Sequence, residues 1–147
     1  MPPLKGVLET AIYVDDLARA RAFYEGVIGL PVMHADNRMA AYDAGERSVF
    51  LVFKRGASHH RTVLPGGAIP AHDGQGPLHF AFAVDLMAIG EWEKHLAAHD
   101  IAIEDRATWP KGGSSIYFRD PDGHLLELAT QGLWPNWPLP EDQGAGG

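Results

Sequence analysis

The feature that most constrains this chain is that it says one thing twice. Leu8-Glu9-Thr10-Ala11-Ile12-Tyr13-Val14-Asp15 and Leu78-His79-Phe80-Ala81-Phe82-Ala83-Val84-Asp85 share a period of two and a closing aspartate. Alternation of this kind reads as a strand with one crowded and one open face. Each copy is followed by apolar residues at helical spacing. Leu17, Ala20, Phe23, Tyr24, Val27 and Ile28 form the first set, with Asp15 or Asp16 as N-cap and Gly29 as the stop. Leu86, Ile89, Trp92, Leu96 and Ala97 form the second. Three short β-prone pieces follow the first helix, at 31–35, 39–42 and 48–53, and a strand is expected at 101–104 after the second. The last two strands come from the 114–128 stretch. The predicted fold is therefore α+β, one domain over 1–147 made of two tandem βαβββ repeats, about 6–55 and 77–131.

The 114–128 stretch is strand, turn and strand. In Asp120-Pro121-Asp122-Gly123 the proline presets φ, the aspartates can bond back to backbone, and Gly123 accepts positive φ. Glu127 then stands alone among Leu125, Leu126 and Leu128. A buried carboxylate costs several kcal/mol unless it is paired or bound to a metal. Either Glu127 faces solvent, or it has a cationic partner, with Arg119 or Arg47 the structural alternatives to a metal. Superposing the repeats places Glu9 over His79, each beside an alanine (Ala11, Ala81) on the face opposite the bulky residues. Glu9, His79 and Glu127 thus line a face of small side chains. The first-repeat counterpart of Glu127 falls near 49–51, where every residue is apolar. A three-ligand site leaves positions open for substrate, the catalytic arrangement.

Composition narrows the partners. The chain is 46% hydrophobic and 21% charged, with a formal net charge of −7, which argues against nucleic acid or an anionic membrane surface. No apolar run approaches the roughly 20 residues of a membrane span, and the first residues are not expected to be a secretory signal. There is no cysteine, so any metal must be held by nitrogen and oxygen. A cytoplasmic protein is expected. Residues 56–76, rich in Gly, Pro and His, read as a linker or a lid. There His59 and His60 are either metal-type neighbours or exposed bystanders, and His72 with Asp73 is the better lid residue. The tail, 132–147, is expected to be loose, with Trp134 and Trp137 packing irregularly or at an interface and 141–147 least fixed.

Three segments together, 8–24, 78–82 and 117–127, resemble the vicinal-oxygen-chelate superfamily, which includes glyoxalase I, extradiol dioxygenases, methylmalonyl-CoA epimerase, fosfomycin-resistance enzymes and bleomycin-resistance proteins. The resemblance covers roughly residues 6–131. It implies an incomplete barrel of two βαβββ modules around a central cavity and one divalent metal ion held by Glu9, His79 and Glu127. Glu9 departs from the histidine or glutamine usual at its position. One histidine with two carboxylates suits Mn²⁺ or Mg²⁺ beside Ni²⁺, Zn²⁺ or Fe²⁺, and lowers the case for an extradiol dioxygenase. Tyr117 falls where fosfomycin transferases have a substrate-contacting tyrosine, but no arginine follows Glu127 to hold a phosphonate, which argues against fosfomycin resistance.

The implied function is metal-dependent isomerase, lyase or dioxygenase chemistry on a small oxygen-chelating substrate, with Glu127 and Tyr117 as catalytic residues. The alternative is a metal-free protein that sequesters an antibiotic, as bleomycin-resistance proteins do. Tyr13, Arg119 and His72 are the candidate substrate-binding residues. Tyr13 and Tyr117 equally suit a satisfied core role, Arg119 a pairing with Asp120 or Asp122, and His124 a structural one. A homodimer is implied, in some relatives with modules exchanged so that Glu9 and Glu127 come from different chains.

Overall fold

A computed structural model describes residues 1–141. The loose end expected from the sequence falls partly on 142–147, which lie outside the described residues. The chain divides into two compact units, one of 1–78 with 120–124 and one of 79–119 with 125 onward.

In the first unit, β1 (Glu9–Val14) leads into α1 (Leu17–Gly26) and then β2 (Val32–Ala35), β3 (Met39–Asp43) and β4 (Val49–Lys54). The sheet order is β1-β4-β3-β2, with β1 parallel to β4 and the other pairs antiparallel. Asp16 is the N-cap of α1, accepting from the Arg19 amide at 3.0 Å. Gly29, at φ +80°, lets the chain turn back so that Leu30 N donates to Tyr24 O at 3.0 Å. The helix buries Ala20, Phe23 and Tyr24 against Ile12, Val14, Phe50 and Val52. Tyr24 meets Phe50 edge-on, with ring centroids 5.2 Å apart.

The second unit repeats this order. Strand β7 (His79–Ala83) is followed by α2 (Ile89–Ala98), β8 (Asp105–Thr108), β9 (Ser114–Arg119) and β10 (Leu125–Ala129). Its sheet runs β7-β10-β9-β8, with β7 parallel to β10 and antiparallel pairs elsewhere. Leu96 of α2 is buried, as are Ile116, Phe118, Leu126 and Leu128 on one face of the sheet. The α+β class and the paired βαβββ modules are as the repeat predicts.

Three expectations need correction. The strand expected at 101–104 lies at Asp105–Thr108 instead. Ile101 N still donates to Leu96 O at 2.9 Å, so this stretch completes the helix exit, and the ladder starts only where Asp105 meets Tyr117. The 56–76 linker contains a hairpin, β5 (Thr62–Leu64) with β6 (Gly67–Ile69). It is also tied down: His59 Nε2 pairs with Asp73 Oδ2 at 2.6 Å, and Asp73 Oδ1 accepts from Gly56 N at 3.2 Å. The described part of the tail is held as well. Gly132 N donates to Trp137 O at 2.9 Å and Trp137 N to Trp134 O at 3.0 Å. A Cβ on Gly113 would stand 2.6 Å from Gln131 O and 2.7 Å from Leu133 N, so the tail backbone lies directly on the 112–113 loop.

The Asp-Pro-Asp-Gly turn belongs to the first unit. Asp120, 5% exposed, accepts from Tyr24 Oη at 2.6 Å and from the amides of Asp122 and His124 at 2.9 Å each. Burial, reinforced by the Asp120 charge and hydrogen bond, holds the Tyr24 phenol protonated far above the usual tyrosine range. His124, fully buried, accepts at Nδ1 from Leu78 N at 2.9 Å and therefore donates from Nε2 to Tyr13 O at 2.8 Å. It is structural, as the sequence suggested.

Tyr24→Phe should cost about 1.5–3 kcal/mol in denaturant unfolding, the range for a hydrogen bond to a charged group. Because the folded pKa of Tyr24 is raised, its contribution is complete below the unfolded value of about 10 and is lost as pH rises above it. The variant should therefore show a shallower alkaline decline in stability than the wild type. Gly113→Ala should destabilise by about 1–3 kcal/mol through overpacking against backbone, measured the same way.

Candidate active site

The site grows from β10, an inner strand flanked by β7 and β9. Glu127 lies opposite Tyr117 on β9 and Ala81 on β7. Leu126 and Leu128 take the helix side, so the period of two turns Glu127 to the other face. Only 6% of its surface is exposed. Its Oε1 accepts from Tyr117 Oη at 3.0 Å, and its Oε2 stands 3.4 Å from His79 Nε2. The structural pairings considered from sequence, with Arg119 or Arg47, are replaced by this tyrosine and histidine.

The tautomer of His79 follows from its neighbours. Nδ1 lies 2.9 Å from Leu125 O, and a carbonyl can only accept, so Nδ1 carries a proton. In the neutral ring the Nε2 lone pair then faces Glu127. Backbone anchoring of one ring nitrogen to present the other is the usual support of a metal-ligating histidine. Two ligands each about 2.0–2.2 Å from one ion, at angles between octahedral and tetrahedral, stand roughly 3–3.5 Å apart. The His79–Glu127 separation fits this donor geometry, and equally a Glu127 carboxylate paired with a protonated His79.

The Tyr117 phenol is pushed above the usual tyrosine range, first by burial and then by its hydrogen bond to Glu127. It is a proton donor at neutral pH, holding one carboxylate oxygen while the other faces His79. His79, Ala81, Tyr117, Glu127 and Ala129 line a cleft of about 410 Å³ together with Trp109, Leu133, Trp134 and Trp137. Sequence reasoning assigned the last two to the tail and passed over Trp109. The signal available was a Trp-Pro that occurs three times, two of them, Trp109-Pro110 and Trp134-Pro135, at the start of turns. Each opens a turn closed by an i+3 amide: Gly112 N donates to Trp109 O at 2.9 Å and Trp137 N to Trp134 O at 3.0 Å.

The remaining predicted residues lie elsewhere. Glu9 is exposed at the start of β1, on the face shared with Ala11 and Tyr13. It pairs in register with Val49, as His79 pairs with Leu125; this equivalence makes Leu51 the counterpart of Glu127. Among the described residues, no group of three His, Asp or Glu side chains is set to hold a metal ion. The structure brings together His79, Glu127 and Tyr117 in the second unit, and Tyr13 with His72 in the first. Tyr13 Oη and His72 Nδ1 are 2.7 Å apart, and both rings pack on Phe53. Burial, then the Asp73 charge, raises the Tyr13 pKa. Arg119 pairs with neither Asp120 nor Asp122 in the contacts described. Its guanidinium grips Glu104 with two bonds of 2.8 and 3.0 Å, because the 101–104 stretch returns beside β9.

Comparison with known proteins agrees with the fold. Metallothiol transferase FosB from Bacillus licheniformis is 29% identical over 128 residues, covering 85% of this chain and 75% of its own. Biphenyl-2,3-diol 1,2-dioxygenase 3 from Rhodococcus globerulus is 28% identical over 138 residues; the match covers 89% of this chain but 64% of the dioxygenase. The crystal structure of lactoylglutathione lyase from Agrobacterium tumefaciens superposes with a TM-score of 0.82 at 34% identity, covering 91% of this chain and 99% of that one. The model of the Glyoxalase/Bleomycin resistance protein/Dioxygenase superfamily matches residues 6–128, and the chain belongs to that superfamily.

Proposed function

We propose that the protein is a divalent-metal-dependent enzyme acting on a small substrate that presents two adjacent oxygens, by isomerase, lyase or dioxygenase chemistry. The observation that carries this reading is the His79–Glu127 pair, a backbone-anchored imidazole 3.4 Å from a buried carboxylate at the wall of a cleft. The names of the similar proteins, a metallothiol transferase, a dioxygenase and a lyase, support the same class. In this reading His79 and Glu127 are two metal ligands. Glu9, the register equivalent of His79, is the third. Nitrogen and carboxylate donors suit Mn²⁺, Ni²⁺, Zn²⁺, Fe²⁺ or Mg²⁺.

The bound ion would supply Lewis-acid stabilisation of negative charge on substrate oxygen. The chain's own residues do the rest. Glu127 is the group able to take a proton from substrate carbon, and Tyr117, held protonated, keeps that carboxylate oriented through Oε1. Tyr13 and His72, hydrogen-bonded to each other in the first unit, are the candidate substrate-binding pair, and Arg119 positions the 104–119 edge through Glu104. The reading carries with it a cytoplasmic homodimer.

Metal analysis of protein purified without chelator tests the assignment. Stoichiometric divalent ion is expected in the wild type, lost in Glu127→Ala and in His79→Ala, and bound at least about tenfold more weakly in Glu9→Ala. A wild-type protein that cannot be loaded with any of the five ions overturns the reading and favours metal-free sequestration of an antibiotic-like molecule. Tyr117→Phe should weaken metal binding by about 10–100-fold in calorimetry, the usual effect of losing a group that orients a ligand. In Glu127→Gln, the Tyr117 phenol should ionise at lower pH than in the wild type, followed by ultraviolet absorbance against Tyr117→Phe.

A further inference from the structure

We propose that the cleft beside Glu127 selects an uncharged aromatic substrate, and that Trp134 and Trp137 of the tail are its specificity-determining residues; this rests on the metal-site reading above. The cleft, at about 410 Å³, is near the small end of the roughly 300–1,000 Å³ typical of ligand pockets. Its polar groups gather at one edge, where His79, Tyr117 and Glu127 meet. Two further polar side chains in its lining are already engaged. Trp109 Nε1 donates to Ser115 Oγ at 2.8 Å, and Thr130 Oγ1 accepts from Ser114 N at 2.9 Å while donating to Gln131 O at 3.0 Å. Trp109 therefore offers a ligand its ring, not its N–H.

Charge points the same way. No lysine or arginine is among the residues that line the cleft, and the nearby Arg119 is clamped to Glu104. A phosphate, phosphonate or peptide carboxylate would enter a chain of net charge −7 with no lysine or arginine lining the cleft to pair with it. An uncharged ring meets no such penalty and gains stacking area on indoles. Trp134 and Trp137 are 67% and 38% exposed although a proline turn fixes their backbone and the preceding residues 131–133 pack on Gly113. An indole surface held rigid and left open is what a stacking ligand would cover. The substrate so described carries its two oxygens at the edge that faces His79 and Glu127, and its ring toward the tail.

Benzohydroxamate and acetohydroxamate share one oxygen pair and differ by the ring, so they separate the two contributions. Both would be titrated calorimetrically into metal-loaded wild type, Trp134→Ala, Trp137→Ala, the double alanine variant and Trp137→Phe, with metal content and circular dichroism measured on each. Benzohydroxamate should bind the wild type at least about tenfold more tightly. Each alanine variant should lose several-fold of that advantage, the double variant nearly all of it, and Trp137→Phe should keep most. Acetohydroxamate affinity and metal content should stay unchanged throughout. Equal affinities in a metal-bearing wild type, or an advantage that survives in the double variant, would overturn this inference alone. A wild type that holds no metal overturns the metal reading and this one with it.

Discussion

Much of the architecture depends on one buried carboxylate, that of Asp120. It accepts the distant Tyr24 phenol and two amides of its own five-residue turn, which fixes the turn between β9 and β10 in a single shape. Gly123 N donates to Asp120 O, and Asp120 N to His124 O. The hairpin register follows from these bonds: Arg119 lies opposite Leu125, and two steps further Tyr117 lies opposite Glu127. A slip of one residue would exchange Glu127 with Leu126 or Leu128 and put the carboxylate under the helix, where nothing in the core could pair with it. The acid that never meets substrate thus decides where the acid of the site points.

Duplication followed by divergence explains how such a site arises. The two sheets share one strand order and one ladder pattern, and it is the second that brings a carboxylate, a phenol and an imidazole together on the face opposite its helix. At the position of Glu127 the first sheet has Leu51, and at the position of Tyr117 it has Ala41, read from the ladder partners. The first unit instead uses that face for Tyr13, Phe53 and His72, whose rings and hydrogen bond fill the space. Gly74 is pressed on the Tyr13 ring, where a Cβ would stand 2.5 Å from Cδ2.

The parts legible in the sequence were those governed by period. Alternation along 8–14, 78–84 and 125–128 identified the strands, gave Glu127 and His79 their common face and Glu9 the equivalent face of the first sheet, and helical spacing located both helices. What escaped was set by hydrogen bonds between distant residues. Nothing local marks Ile101 as an amide that returns to Leu96, so the strand was expected four residues early. Arg119 was matched to the aspartates nearest in sequence, while its partner is Glu104, fifteen residues away. The His79 tautomer depends on the carbonyl of Leu125, a group every residue possesses and no side-chain pattern reports. The tryptophan wall escaped because its members come from two loops whose contact is made through glycine backbone.

The two Trp-Pro turns have a thermodynamic consequence. Proline at the second position of each turn removes freedom from the unfolded chain, so the ordering of Trp109 and Trp134 is settled when the protein folds. A molecule arriving at the cleft would then find its stacking partners already in place and would not have to immobilise a floppy segment to reach them. Association should be limited by encounter and desolvation, with little of the slow rearrangement expected when a disordered tail must close over its ligand.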